Sequence, residues 1–184
     1  MSKRVVILLA GMPGSGKSIV AEIARKMGFS TFTLGDVVRQ EAARRGLPLN
    51  DSQLGELARK LRKEHGADAI AKIALNYIHK NDKHFLIDGI RSPAEIKVFK
   101  TAFDAAYVLA IHSSPKTRFR RLLKRGRKDD PKTWEEFEAR DRRELSFGLG
   151  EVIALADYML VNEDSLEKFK KDAEEMLRRM LEDA

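Results

Sequence analysis

With 184 residues the chain is long enough to bury a substantial core, and its length predicts one domain over residues 1–184. It contains no cysteine, which excludes disulfides and thiolate zinc sites and fits a reducing cytoplasm. Apolar residues make up 43% of it, no apolar run reaches membrane-spanning length, and the formal charge of +7 points to a polyanionic ligand or a solvated cationic face.

The elements follow from the apolar spacing, in chain order. Residues 5–10 predict a buried strand and about 17–27 a helix. "STFTL" (30–34) predicts a second short strand. Residues 36–46 and 50–79 predict helices, broken near "GLPLN" and near Gly66. "HFLID" (84–88) predicts a third buried strand. "SPAEIKVFKTA" predicts a helix with Pro93 in its first turn. "AAYVLAIHS" (105–113) predicts a fourth strand, and "PKTRFRRLLKR" a helix again opened by proline. "GRKDDPKT" (126–133) predicts a loop, Trp134 to Leu145 a helix, and 150–156 a short further one. "YMLVN" (158–162) predicts the last strand. A closing helix over 164–182 has an apolar face of Leu166, Phe169, Ala173, Leu177 and Met180, with Met176 beside them. Short apolar strands alternating with helices predict an α/β fold: a doubly wound, parallel, five-stranded sheet.

Between the first strand and the first helix stands "GMPGSGKS". Gly11, Met12, Pro13, Gly14, Ser15, Gly16, Lys17 and Ser18 match G-x-x-x-x-G-K-[ST] without a gap. Such a loop curls its amides around phosphates; glycines allow the curl and the close approach. Lys17 then reaches the β- and γ-phosphates of ATP, and the Ser18 hydroxyl sits on Mg²⁺. The following helix turns its positive end toward the anion.

In such a sheet, ligands gather beyond the carboxyl ends of the strands. There lie "LGDVVR" (34–39) and "IDGIRS" (87–92). Asp88, ending an apolar strand, is placed to hold Mg²⁺. Arg39 and Arg91 supply two guanidinium groups for a phosphate-bearing acceptor, or serve as surface ion pairs. From Lys116 to Lys128 there are eight Lys or Arg and no acid. Arg118, Arg121 and Arg125 share one helix face; Phe119, Leu122 and Leu123 supply an apolar one; Arg120 and Lys124 are solvated. The cluster reads first as a nucleotide lid and second as an RNA patch over 116–128, since no aromatic-studded strand accompanies it. His65, His79, His84 and His112 lack metal-ligand spacing, and Trp134 reads as a packing anchor.

"GMPGSGKS", "LGDVVR", "IDGIRS" and "RLLKRGRKDD…EARDRR" resemble, in order and spacing, the nucleoside monophosphate kinases, adenylate kinases above all. The resemblance covers nearly the whole chain. It implies an ATP- and Mg²⁺-dependent kinase with an acceptor-binding helical region about 35–80 and a short lid about 121–140. It implies acceptor contacts for Asp36, Arg39 and Arg91, and lid-side phosphate contacts for Arg121, Arg125, Arg127 and Arg140. Asp36 positions the acceptor or accepts a proton. The chain departs from the family in a shorter "DGIRS" and a lid without room for a zinc or β-ribbon insert. Its C-terminal "ALADYMLVNEDSLEKF" is similar to dephospho-coenzyme A kinase, and the whole chain resembles a family of archaeal P-loop ATPases or kinases related to both. A nucleoside monophosphate kinase is the first expectation. A dephospho-coenzyme A kinase-like enzyme and an RNA- or ribosome-associated ATPase are the alternatives.

Overall fold

The strand β1 (Val5–Ala10) buries every side chain, so it must lie between two layers. In the computed structural model, which describes residues 4–49, 51–78, 84–127 and 130–183, it does. Val6, Leu8 and Ala10 point into one core, and Val5, Ile7 and Leu9 into the other. This is the two-residue period of a strand used on both faces. The remaining elements are α1 (Lys17–Lys26), β2 (Ser30–Thr33), α2 (Leu34–Arg44), α3 (Asp51–His65), α4 (Ala69–Leu75), β3 (Phe85–Asp88), α5 (Pro93–Ala102), β4 (Ala105–His112), α6 (Pro115–Arg125), α7 (Trp134–Leu145), α8 (Leu149–Ala154), β5 (Tyr158–Val161) and α9 (Leu166–Glu182). The five strands form one parallel sheet in the order β2-β3-β1-β4-β5. This is the fold class expected from the sequence.

Helices α1 and α9 cover one face through Val20, Ala24, Phe169, Ala173, Leu177 and Met180. Helices α2 to α5 and α8 cover the other, around Leu34, Leu61, Ile70, Phe99 and Val152. The element boundaries differ from expectation where local turns decide. Leu34 opens α2 rather than closing β2. The break expected near Gly66 is found there: α3 ends at His65, and Gly66 holds a φ of 96° that only glycine tolerates well. Leu166 is 47% exposed because it sits in the first turn of α9, ahead of the stretch that meets α1. Leu123 is also 47% exposed; the apolar face of α6 is Phe119 and the buried Leu122. Trp134 packs edge-on against Phe119 with ring centroids 5.3 Å apart, and Phe137 lies 5.1 Å from it. Asn50, His79, Lys128 and Asp129, the last two in the loop 126–133, lie outside the described residues.

The register fixes what stands at the carboxyl edge. Leu9 pairs with Asp88 on one side and with Leu109 on the other. Beyond Asp88 the chain is held by a capping box at α5. Ser92 Oγ accepts from the Glu95 N–H at 3.3 Å, and Glu95 Oε2 accepts from the Ser92 and Arg91 N–H groups at 3.2 and 2.7 Å. Glu95 is fully buried, and its other oxygen accepts from Arg62 Nη2 at 3.0 Å. One carboxylate therefore closes a helix terminus, fixes the backbone of Arg91 and neutralises a buried arginine. Glu95→Ala strands the Arg62 charge and is expected to lower unfolding free energy by about 3–5 kcal/mol. Chemical denaturation checks this, and a loss under about 1 kcal/mol would contradict it.

Candidate active site

The loop after β1 folds against three elements at once, which sets its glycines. A Cβ on Gly11 would stand 2.6 Å from the Ile111 carbonyl oxygen of β4. One on Gly14 would stand 2.9 Å from the Arg118 carbonyl oxygen of α6, and one on Gly16 would stand 2.4 Å from Asn162 Nδ2. All three also hold positive φ. The glycines therefore make room for the protein's own β4, α6 and β5 end, as well as giving the loop its curl. Asn162 Nδ2 donates to the Ser15 carbonyl at 2.8 Å, and Ser113 Oγ donates to the same oxygen at 3.3 Å.

Lys17 Nζ donates to the Gly11 and Met12 carbonyls at 2.6 and 3.3 Å. Burial pushes its pKa below the ordinary lysine value, against the pull of Asp88. Asp88 Oδ1 is buried with no hydrogen-bond partner among the described residues. The orphaned Asp88 carboxylate oxygen and the Ser18 hydroxyl line the same cleft and are oxygen donors of the kind Mg²⁺ takes. Among the described residues no group of three or more His, Cys, Asp or Glu forms a protein-only metal cluster. Mg²⁺ usually binds through one or two protein oxygens plus phosphates, so this does not count against the pair.

The expected site residues converge. Pro13, Gly14, Gly16, Lys17, Ser18, Arg39, Asp88, Arg91, Arg121, Arg125, Arg127 and Arg140 line one cleft of about 380 Å³. An inner chamber of about 150 Å³ shares Arg39, Arg91, Arg140 and Glu144 with it and adds Arg62, Arg143 and Phe147. Asp36 stands behind this wall. Its carboxylate accepts from Arg39 Nη1 at 2.7 Å, and it lines neither space.

What the sequence did not disclose is how the arginines are held. Arg91 Nε donates to Glu144 Oε2 at 2.7 Å. Burial works against the charge of Arg91, but Glu144 beside it more than offsets this and raises its pKa. Burial likewise works against ionised Glu144, and Arg91 wins, holding it below the usual carboxylate range. Arg118, on the helix face it shares with Arg121 and Arg125, is buried. It grips Asp141 with two bonds of 2.9 and 2.6 Å, donates to the Pro13 and Ser113 carbonyls, and lies over the Phe137 ring. Arg121 donates to Ser113 Oγ and to the Asn162 carbonyl and Oδ1 at 2.9–3.1 Å. Burial lowers its pKa. That ties it to the strand ends rather than to the loop. Arg125 is held by both oxygens of Asp130, which also accepts from the Arg127 N–H at 3.1 Å and from Arg140 Nη1 at 3.4 Å. Burial raises the Asp130 pKa, but the Arg125 bonds outweigh it and the net shift is downward.

A UPF0200 protein of Hyperthermus butylicus is 51% identical over 178 residues, covering 96% of this chain and 95% of its own length. This chain belongs to the UPF0200 family. A model of the AAA domain matches residues 10–138, so the chain belongs to that family as well. A shikimate kinase from Acinetobacter baumannii in complex with shikimate superposes with a TM-score of 0.64 at 15% identity, over 99% of this chain and 96% of that one. A gluconokinase from Sinorhizobium meliloti gives 0.57 at 16%, over 100% and 97%. The UPF0200 fold is thus the P-loop, kinase-like one.

Asp130 is the internal counter-anion that lets the cationic segment of this UPF0200 chain settle. Asp130→Asn is expected to speed amide exchange at Arg127 and over residues 130–133 by about tenfold or more. Hydrogen exchange read by mass spectrometry checks this. Unchanged protection would mean that the loop is fixed by something other than these pairs.

Proposed function

We propose that this chain is an ATP- and Mg²⁺-dependent phosphotransferase acting on a small anionic acceptor. What carries the reading is the convergence of Lys17, Ser18, Asp88, Arg39, Arg91, Arg121, Arg125 and Arg127 on one cleft. Phosphoryl transfer needs little covalent help; it needs positioning and charge neutralisation. The loop amides and Lys17 hold the β- and γ-phosphates of ATP. Ser18 and Asp88 hold Mg²⁺, which when bound neutralises phosphate charge. Arg39 and Arg91 orient the acceptor in the inner chamber. Arg121, Arg125 and Arg127 face the transferring group from α6 and its loop, the lid of this reading.

A nucleotide-like acceptor, whether a nucleoside monophosphate or a molecule like dephospho-coenzyme A, brings the anion that the two chamber arginines would take. One observation favours the dephospho-coenzyme A-like alternative: Asn162, in the segment similar to that enzyme, donates to the Ser15 carbonyl of the phosphate loop and accepts from Arg121 of α6. The RNA reading loses two of the eight basic residues of its patch, because Arg118 is buried on Asp141 and Arg121 is tied to Asn162 at the cleft.

Lys17→Ala is expected to abolish acceptor phosphorylation while circular dichroism stays native. Activity at more than a few per cent of wild type would remove the phosphate-loop assignment. Arg39→Ala and Arg91→Ala are each expected to raise the acceptor KM by about ten- to a hundredfold and to change the ATP KM far less. Steady-state kinetics with each substrate varied checks this; equal losses for both substrates would place these arginines on the ATP side.

A further inference from the structure

The inner chamber holds one carboxylate among its lining residues, Glu144, set within a wall of Arg39, Arg62, Arg91, Arg140 and Arg143. Glu144 also lines the phosphate cleft, so it stands at the junction where acceptor and γ-phosphate meet. Arg91 Nε occupies Oε2 at 2.7 Å, whereas Arg143 Nη2 approaches Oε1 only to 4.0 Å, an ion-pair rather than a hydrogen-bond distance.

The two kinds of acceptor make opposite demands on such a group. A phosphate nucleophile arrives already ionised, has no proton to give at neutral pH, and is repelled by a carboxylate beside it. A hydroxyl nucleophile carries a proton that must leave, and it needs a hydrogen-bond acceptor within reach. We infer that Glu144 accepts the hydroxyl of the acceptor, so that the substrate is an alcohol bearing an anionic group and the product is a phosphate monoester, not a phosphoanhydride. The arginine wall takes the anionic group. Arg62, which lies over the Phe147 ring, supports this assignment: two of its buried nitrogens, Nε and Nη1, find no hydrogen-bond partner among the described residues, and Nη2 is engaged by Glu95.

The step balances. The alcohol oxygen attacks the γ-phosphorus, the bond from γ-phosphorus to the β,γ-bridging oxygen breaks, and ADP leaves with the electron pair. The alcohol proton passes to the Glu144 carboxylate and from there to solvent. In a loose transition state this transfer comes late, so an ionised, well-aimed acceptor matters more than a strong base. Arg91 and Arg143 keep Glu144 ionised. Lys17 from α1, Arg140 from its own helix, and Arg39 and Arg62 from α2 and α3 add positive charge nearby; Asp88 and Glu95 add negative charge.

This inference rests on the kinase reading, and the experiment separates the two. The full chain with MgATP receives gluconate, ribose 5-phosphate or dephospho-coenzyme A as alcohol probes, and AMP or CMP as phosphate probes. Phosphorus NMR identifies the products. A monoester from any alcohol probe is expected. Glu144→Gln, checked by thermal melting, should lower kcat by about a hundredfold or more without moving the ATP KM. In Arg91→Ala the acidic limb of kcat should move to higher pH, because the positive charge that holds Glu144 ionised is gone. Phosphoanhydride products from AMP or CMP would overturn the inference and leave the kinase reading standing. If no probe is phosphorylated, slow ATP hydrolysis is read instead, with water in the place of the alcohol. A similar fall in Glu144→Gln supports the inference, and an undiminished rate overturns it. No ATP turnover of any kind by the wild-type chain sinks the kinase reading and the inference together.

Discussion

Gathering many positive charges at one end of a sheet is the constraint on which the structure turns. Two guanidinium groups about 5 Å apart repel by roughly 3 kcal/mol at an effective dielectric near 20. A wall of them folds only if the chain brings its own anions. It does so from separate elements: Glu95 on α5, Glu144 and Asp141 on α7, and Asp130 in the loop before it. Each carboxylate meets an arginine distant in sequence or bound into the same corner. The helices are therefore locked to the sheet edge by charge pairs as well as by the apolar cores beneath.

The fold and the phosphate loop were legible because they are local. A strand buried on both faces reads as an unbroken apolar run, and a phosphate loop is eight consecutive residues. Asp88, Arg39 and Arg91 were legible one step further out, because the carboxyl end of a parallel strand is where a ligand must come. The carboxylates were not. In a chain where 34% of residues are charged, most acids have a nearby lysine or arginine to suggest a solvated pair. Two signals were nonetheless present. "SPAE" at 92–95 spells a capping box, which buries its glutamate against the backbone. On α7, Phe137, Arg140, Asp141 and Glu144 recur at steps of three and four, so the face carrying the buried Phe137 also carries both acids. The long-range meeting of Asn162 with Ser15 had no local trace, because it depends on β5 lying beside β4.

The glycines of the loop show the same dependence on long-range packing. Read locally, they exist so that phosphate can approach. The folded chain adds a second demand. Gly11, Gly14 and Gly16 each lie where a side chain would strike β4, α6 or the residue after β5. The loop is thus clamped by the strand ends and helix that also present Ser113, Arg118 and Arg121. A loop fixed on three sides holds its amides in place before any anion arrives, which is how preorganised electrostatic stabilisation avoids reorganisation during reaction.

Burial then sorts the arginines by what they can do. The Arg118 side chain is 4% exposed and bound twice to Asp141, twice more to backbone carbonyls, and stacked on an aromatic ring. Releasing it would strand a charge in the interior, so it serves the architecture. The Arg125 side chain is 35% exposed at the cleft rim, and its partner Asp130 carries a single negative charge. A bound nucleoside triphosphate brings several. An arginine already partly in solvent can exchange a carboxylate for phosphate oxygens without itself crossing into a drier environment, while the buried Asp130 keeps its bonds from the Arg127 N–H and Arg140. The pairing with Asp130 keeps Arg125 folded and aimed, and the greater charge of a phosphate is what can draw it away. The difference between an arginine that builds the site and one that works in it is therefore set by how far its own guanidinium group has been removed from water, and not by its place on the helix, since Arg118 and Arg125 share one face.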